Sequence, residues 1–319
     1  MTVLFFGDFG TGHMAAETAL LEAVRAIGDP DPIVVTAAPG FTARCAPDVT
    51  CIAPGEAPPR QPSRIVLAGP IGRARRVPPL MALFEDAIAA TPRANACLHN
   101  LSLPSGVDSA QGLRIAATLD GLQGSMRDHV THLTMMRRGL RWFPALATFP
   151  ERTLPHDDSL ACLLPEGPAP LGLMLDASPH LLESMDKHPA AFRHVLGLLA
   201  DRPVLPIPPS VRQAGDDSAP DPILGARQAL LAFRPGQAPL LPALLDADWW
   251  LSHATPGGIG GLVKRCAMLV TTSDLGVLLA AATGVPCHII GLSQDDAATR
   301  AGGTLAGALA PGSSFTVLR

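Results

Sequence analysis

Val3-Leu-Phe-Phe-Gly-Asp-Phe-Gly-Thr-Gly-His13 is the stretch that decides the fold. Four successive apolar residues suit a strand covered on both faces, and the glycines that follow allow a sharp turn. From residue 14 to 27 the apolar positions Leu20, Leu21, Val24 and Ile27 recur with helical spacing. A buried strand, a glycine turn and an amphipathic helix form the opening of a Rossmann-like unit.

The pattern continues outward from that start. Short continuous apolar runs at 33–36, 49–53, 65–68 and 96–101 predict further strands of a parallel sheet. Helical patterns intervene at 79–90, 108–119 and 129–139. Between 152 and 170 the periodicity collapses into Leu-Pro-His-Asp-Asp-Ser and Leu-Pro-Glu-Gly-Pro-Ala-Pro, a candidate boundary. Strand and helix then alternate again, with strands predicted at 171–175, 204–207, 268–272 and 287–291 and helices at 189–199, 224–232, 275–282 and 295–310. Residues 213–222, polar and proline-rich, suit an exposed loop. The expected fold class is α/β: two Rossmann-like domains, 1–155 and 168–319, joined by a linker at 156–167 and facing a cleft. Ligands of such sheets lie beyond the carboxyl ends of the strands.

Composition narrows the function. The 319 residues carry 30 glycines and 33 prolines, which calls for many turns, and 47% hydrophobic residues, ample for two cores. A net charge of −4 with only Lys187 and Lys264 as lysines leaves no basic stripe, so nucleic acid is not an expected partner. With no tyrosine, the available proton carriers are histidine and carboxylate. The six cysteines show no CxxC spacing, which fits reduced thiols in the cytoplasm. The first residues lack the charged flank and length of a signal peptide, and no apolar run is long enough to span a bilayer.

Four places carry candidate chemistry. Gly10-Thr-Gly12-His13 can receive an anion on exposed helix amides, and Glu17 lies one helical turn beyond His13. The loop lacks the GxGxxG spacing and the Walker lysine, so neither a nicotinamide nor ATP, nor any other cofactor, is indicated. Arg127 and Asp128 fall where a strand gives way to a helix. Asp128 suits an N-cap, and Arg127 offers a guanidinium fork to an anion. His253 precedes a glycine cluster ending in Lys264-Arg265, which is either an anion nest or a flexible loop before a helix. Arg73-Ala-Arg75-Arg76 is either a phosphate loop or a solvated basic turn. His129 and His132 stand three apart on a helix without a carboxylate at a compatible spacing, so no metal site is expected.

In this order the motifs resemble the polysaccharide pyruvyl transferase family. That family opens with a strand running into G-x-G-N-x-G-D-E, a frame that Gly10-Thr-Gly12-His13-Met-Ala-Ala-Glu17 follows. Its Arg-Asp pair at the start of a helix, with a Ser and a later Gly, is matched by Arg127, Asp128, Thr131 and Gly139. Its late strand, R-L-H-G, small-residue helix, G-x-P and strand is matched in frame by the segment 269–286. There Ser273 and Leu275 stand where the family has Arg and His. The resemblance spans nearly the whole chain and implies two Rossmann-like domains of GT-B type. It also implies transfer of pyruvate from phosphoenolpyruvate to a sugar in polysaccharide assembly.

The expectation is therefore a divergent transferase of this kind acting on a sugar or glycan-related acceptor, with phosphoenolpyruvate or a sugar phosphate as donor. His13, Glu17 and His253 are the catalytic candidates. Gly10, Gly12, Arg127, Asp128, Lys264, Arg265 and Ser273 are the candidate substrate contacts. Two alternatives stand beside it: a non-catalytic binding member of the same scaffold, and a GT-B nucleotide-sugar glycosyltransferase.

Overall fold

The computed structural model describes residues 2–72, 74–104, 107–140, 145–146, 154, 156–176, 179–211, 221, 223–233, 242–293 and 296–318. The chain divides into two compact units, Met1–Phe149 and Pro150–Arg319.

In the first unit the elements run β1 (Val3–Phe6), α1 (Met14–Ile27), β2 (Ile33–Val35), α2 (Pro39–Cys45), β3 (Thr50–Ile52) and β4 (Arg64–Pro70). They continue as α3 (Val77–Ala89), β5 (Ala96–Ser102), α4 (Ser109–Leu119), β6 (Gln123–Met126), α5 (His129–Arg137) and β7 (Ala145–Leu146). The sheet is parallel, in the order β3-β2-β1-β4-β5-β6-β7. Its first six strands follow the 3-2-1-4-5-6 order of the dinucleotide-binding fold, whose switch point lies between β1 and β4. The period of two along a strand explains why β1 is apolar throughout. Leu4 and Phe6 join Ile65, Leu67 and Phe84 in one core, while Val3 and Phe5 join Leu20, Val34 and Val66 in another. α1 stops at Gly28, which takes the left-handed conformation (φ 67°) and donates its N–H to the Val24 carbonyl.

The second unit contains β8 (Leu171–Met174), α6 (Pro179–Lys187), α7 (Pro189–Gly197), β9 (Val204–Pro206), α8 (Leu224–Phe233) and α9 (Ala247–His253). After these come α10 (Pro256–Lys264), β10 (Met268–Thr271), α11 (Asp274–Thr283), β11 (Cys287–Gly291), α12 (Ala297–Leu305) and β12 (Ser314–Val317). Its parallel order, β12-β11-β10-β8-β9, is the flavodoxin-like 2-1-3-4-5 arrangement counted from β8. The switch point is therefore between β8 and β10. Two parallel sheets with covering helices give the α/β class expected. Among the described residues, no helix is long and apolar enough to cross a membrane.

The glycine cluster after His253 is neither an anion nest nor a flexible loop. Gly257, Gly258, Gly260 and Gly261 lie inside α10 and are all buried. Each glycine disfavours a helix by about 1 kcal/mol relative to alanine, so tertiary contact must hold this one together. That contact is the segment at 157–160, part of the expected linker, which belongs to the second unit. Asp157 donates its N–H to the Gly257 carbonyl at 3.0 Å, and Leu160 and Ser159 cover Gly258. A β-carbon on Gly261 would overlap the Asp157 carbonyl oxygen. Lys264 reaches His156 Nε2 at 2.8 Å, and Arg265 bonds Asp158 at 2.7 Å. The expected exposed loop at 213–222 lies outside the described residues, Asp221 excepted.

Gly261→Ala is expected to destabilise the second unit by about 1–3 kcal/mol through overpacking. Gly303→Ala in α12, where a β-carbon meets nothing within 4 Å, should be neutral or stabilise by up to about 1 kcal/mol. Urea denaturation of the two variants checks the contrast.

Candidate functional site

The carboxyl edge of the first sheet is built around its switch point. From the end of β1 the chain turns through Gly7–His13, with Gly10 and Gly12 at φ 72° and 81°. A side chain on Gly10 would overlap the Thr36 hydroxyl and the Ala38 amide, so the turn lies directly on the β2–α2 connection. The Ala37 N–H donates to the Phe9 carbonyl at 3.1 Å and fixes that contact. On the other side of the switch point stands Gly72, just past β4. Its N–H donates to Asp8 Oδ2 at 2.9 Å, so the buried Asp8 carboxylate bridges the two strand ends.

His13 is the N-cap of α1, with extended backbone (φ −78°, ψ 95°) and no side-chain capping bond. Its ring lies over Gly72, where a β-carbon would sit 2.8 Å from Nδ1. Glu17 points elsewhere. It is 0% exposed, and its Oε1 accepts the Gly10 N–H at 2.6 Å and the Thr42 hydroxyl at 3.4 Å. The expected one-turn pairing of His13 with Glu17 does not form, because the capping residue is outside the helical backbone that the spacing rule assumes. Burial pushes the Glu17 carboxyl up to about 7, against the pull of the Gly10 and Thr42 bonds, and the nearby Asp8 charge raises it further.

Further along the same sheet edge, Arg127 and Asp128 are buried at the β6–α5 turn. Asp128 caps α5. Its Oδ1 accepts the Thr131 N–H at 2.7 Å, and its Oδ2 accepts the Ser102 and Thr131 hydroxyls at 2.6 and 2.7 Å. Arg127 donates its backbone N–H to the Leu101 carbonyl at 2.8 Å, and its positive charge lies near the buried Glu22. Burial raises the Glu22 carboxyl, while Arg127 and a hydrogen bond from Asn100 hold it down. Asn100 sits at φ 50° where the register of β5 with its neighbours shifts, and its amide oxygen accepts the Ser125 hydroxyl at 3.0 Å. Arg127, expected to reach for an anion, is thus set against an internal carboxylate.

The remaining candidates belong to the second unit, apart from the arginines at 73–76. His253 is exposed, with Nδ1 2.8 Å from the Trp249 carbonyl oxygen and its ring stacked on Trp249 at 4.4 Å. Lys264 and Arg265 hold residues 156 and 158 as described. Ser273 caps α11, accepting the Leu275 N–H at 3.2 Å, and Leu275 is buried. At this unit's switch point the Thr271 and Thr272 hydroxyls stitch β10 to the end of β8, bonding the Met174 carbonyl and the Asp176 N–H at 2.9 and 2.8 Å. Arg73 lies outside the described residues. Arg75 and Arg76 follow in a short 3-10 turn, Ala74–Arg76.

The structure therefore gathers Gly10, Gly12 and His13 in one turn with Glu17 of α1 behind it, and places Arg127 and Asp128 on the same sheet edge. Asp8, Gly72, Glu22 and Asn100 complete that edge without having been singled out by motif. Of these, Asp8 stood in the opening stretch, and its place beside the glycines was the available signal. His132 is buried on α5, its imidazole held below the usual range by burial and by the neighbouring His129. Among the described residues, no three His, Cys, Asp or Glu side chains gather to hold a metal ion.

Arg127→Met is expected to destabilise the first unit by about 1–3 kcal/mol, because it removes a buried charge that favours the buried Glu22 carboxylate. Adding Glu22→Gln should recover much of that loss. Urea denaturation of the single and double variants measures both. A loss below about 1 kcal/mol for the single variant would show that Glu22 does not depend on Arg127.

No family model matches the chain, and no curated protein matches it. Solved structures give weak likenesses. The glycosyltransferase SnogD from Streptomyces nogalater is 15% identical, with a TM-score of 0.42, covering 100% of this chain and 87% of that one. A UDP-N-acetylglucosamine 2-epimerase, so named provisionally, from Listeria monocytogenes is 12% identical, with a TM-score of 0.47 and coverages of 90% and 78%. The E. coli heptosyltransferase WaaC with ADP is 14% identical, with a TM-score of 0.44 and coverages of 99% and 93%. At TM-scores below 0.5 these likenesses carry no argument about function.

Proposed function

We propose that the chain is a transferase acting on a sugar or glycan-related acceptor, which binds at the carboxyl edge of the first sheet beside Gly10–His13. His13 is the proton carrier: its imidazole takes the proton of the attacking acceptor hydroxyl as that oxygen bonds to the transferred group and the donor's leaving group departs. The observation that carries this reading is the make-up of the β1/β4 switch point. There a glycine turn, a half-buried imidazole and the Asp8 carboxylate bonded to Gly72 meet where doubly wound sheets take their ligands. Hydroxyl groups suit imidazole and carboxylate partners. Of the cations first considered for an anion, Lys264 and Arg265 are engaged with His156 and Asp158 and Arg127 lies near the Glu22 charge, while Arg75 and Arg76 stand in the turn after Gly72.

The donor class implied by the resemblance is phosphoenolpyruvate; sugar phosphates and nucleotide sugars belong to the alternative readings. Ser273 and Leu275 weaken the pyruvyl version, since one is a helix cap and the other a core residue. The same fact favours the second reading, a binding member of the scaffold that performs no transfer.

Thermal-shift screening against phosphoenolpyruvate, sugar phosphates and nucleotide sugars tests the assignment. A ligand at a hundred times its dissociation constant stabilises by about 2.7 kcal/mol. The stabilising donor is then incubated with sugar acceptors and the product detected by its mass. His13→Ala should keep the donor shift and slow transfer by about 10²–10⁴-fold. Transfer at the wild-type rate in His13→Ala would remove His13 from the chemistry. A ligand shift without transfer would favour the binding reading, and no shift with any of these ligands would overturn the proposal.

A further inference from the structure

Beneath the glycine turn lies a carboxyl that substrate chemistry does not require. Glu17 is fully buried, and its Oε1 is bonded to Gly10 and Thr42, whereas its Oε2 has no hydrogen-bond partner among the described residues. We propose that Glu17 is a positioning residue that clamps the Gly10–His13 turn while its carboxyl is protonated and releases it when the carboxyl is charged. This goes beyond the transferase reading and holds whatever the turn binds.

The surroundings of Glu17 set the direction. From the turn itself, Asp8 presents a like charge, and His13 caps the same helix with its ring directed to Gly72. From α2, Cys45 faces it as a buried thiol, while Arg44 is exposed and lies over the Phe41 ring at 5.1 Å. From β3 comes Cys51, whose thiol is pushed up to about 11 by burial and by Glu17 itself. Both thiols are neutral at physiological pH, so neither attracts nor repels the carboxyl strongly. A charge on Glu17 would therefore rest in dry surroundings with one oxygen unpartnered, an unfavourable state.

The turn is the part able to give way. Its two left-handed glycines, Gly10 and Gly12, have alternative conformations within easy reach. The adjoining α2 is only seven residues long and is tied to the site by the 2.7 Å bond between the Thr36 and Thr42 hydroxyls. Opening here admits water to Oε2. The sign follows from linkage: the folded carboxyl is raised from 4.5 to about 7, so its contribution to the closed state is full below about pH 4.5 and is lost as pH rises through 7.

Cys45 reports the opening. Brief alkylation with iodoacetamide between pH 6 and 8.5, read by mass spectrometry, gives its labelling relative to the exposed Cys162. In the wild type the ratio should rise about tenfold as the charged fraction of Glu17 rises. A charge on Glu17 disfavours the Cys45 thiolate directly, so its electric field alone would move the ratio the other way. Glu17→Gln keeps an oxygen for the Gly10 N–H and cannot ionise, so its ratio should stay flat. A flat wild-type course overturns the proposal, as does a rise that persists in Glu17→Gln. Should that variant not fold, hydrogen exchange of the wild-type Gly10 amide decides. Accelerated opening with a midpoint near pH 7 supports the clamp, and a pH-independent opening overturns it.

Discussion

The hydrogen bond from the Gly10 N–H to the Glu17 carboxyl, 2.6 Å long, is the constraint on which the candidate site depends. It joins the exit of β1 to the first turn of α1 and so fixes where the chain crosses the edge of the sheet. With Gly10 held, Phe9 is buried, its carbonyl receives the Ala37 N–H, and the turn is seated on the β2–α2 connection. Asp8 then stands between β1 and β4 and accepts the Gly72 amide, which sets the floor on which the His13 ring lies. Without the Glu17 bond, two glycines in left-handed backbone would have little to hold them in one conformation.

Charge is distributed in a way that composition could not disclose. The chain has few lysines, and its arginines are available for interior and surface structure as readily as for ligands. Arg127 lies by the buried Glu22, and Arg265 holds Asp158 at the beginning of the second unit. At the first sheet's edge the glycine turn presents an imidazole and a carboxylate, groups that recognise hydroxyls, with Arg75 and Arg76 in the turn that follows Gly72. The second unit's switch point is likewise lined by threonine hydroxyls, with Asp176 and Asp274 beside them.

Much of the fold was legible because parallel strands buried on both faces write themselves as continuous apolar runs. β1, β4, β5, β10 and β11 all announce themselves in this way. β12 does not: it is an edge strand with Ser314 and Phe315 exposed, so its alternation is weak. α6 is anchored by few buried residues, chiefly Leu181 and Met185, and its polar remainder hid it. α10 was unreadable for a different reason. Its four glycines argue against a helix locally, and the segment at 157–160, packed against Gly258 and Gly261, is tertiary context that no local pattern discloses. In the candidate site, spacing placed the glycine turn at the exit of β1 and Asp128 at the cap of α5, where the structure has them, but paired Glu17 with His13, whereas Glu17 bonds the Gly10 amide. Nothing in a helical period tells whether a glutamate faces a ligand or the back of its own loop.

The account rests on Glu17 being a buried carboxyl that holds the turn in its protonated form. Carbon-13 NMR titration of the glutamate side-chain carboxyls in the intact chain, with Glu17 assigned by its loss in Glu17→Gln, tests this most directly. The account predicts a midpoint near 7 for Glu17, with the Gly10 amide shift following the same curve. A midpoint near the ordinary 4.5, with the Gly10 amide unmoved, would contradict it.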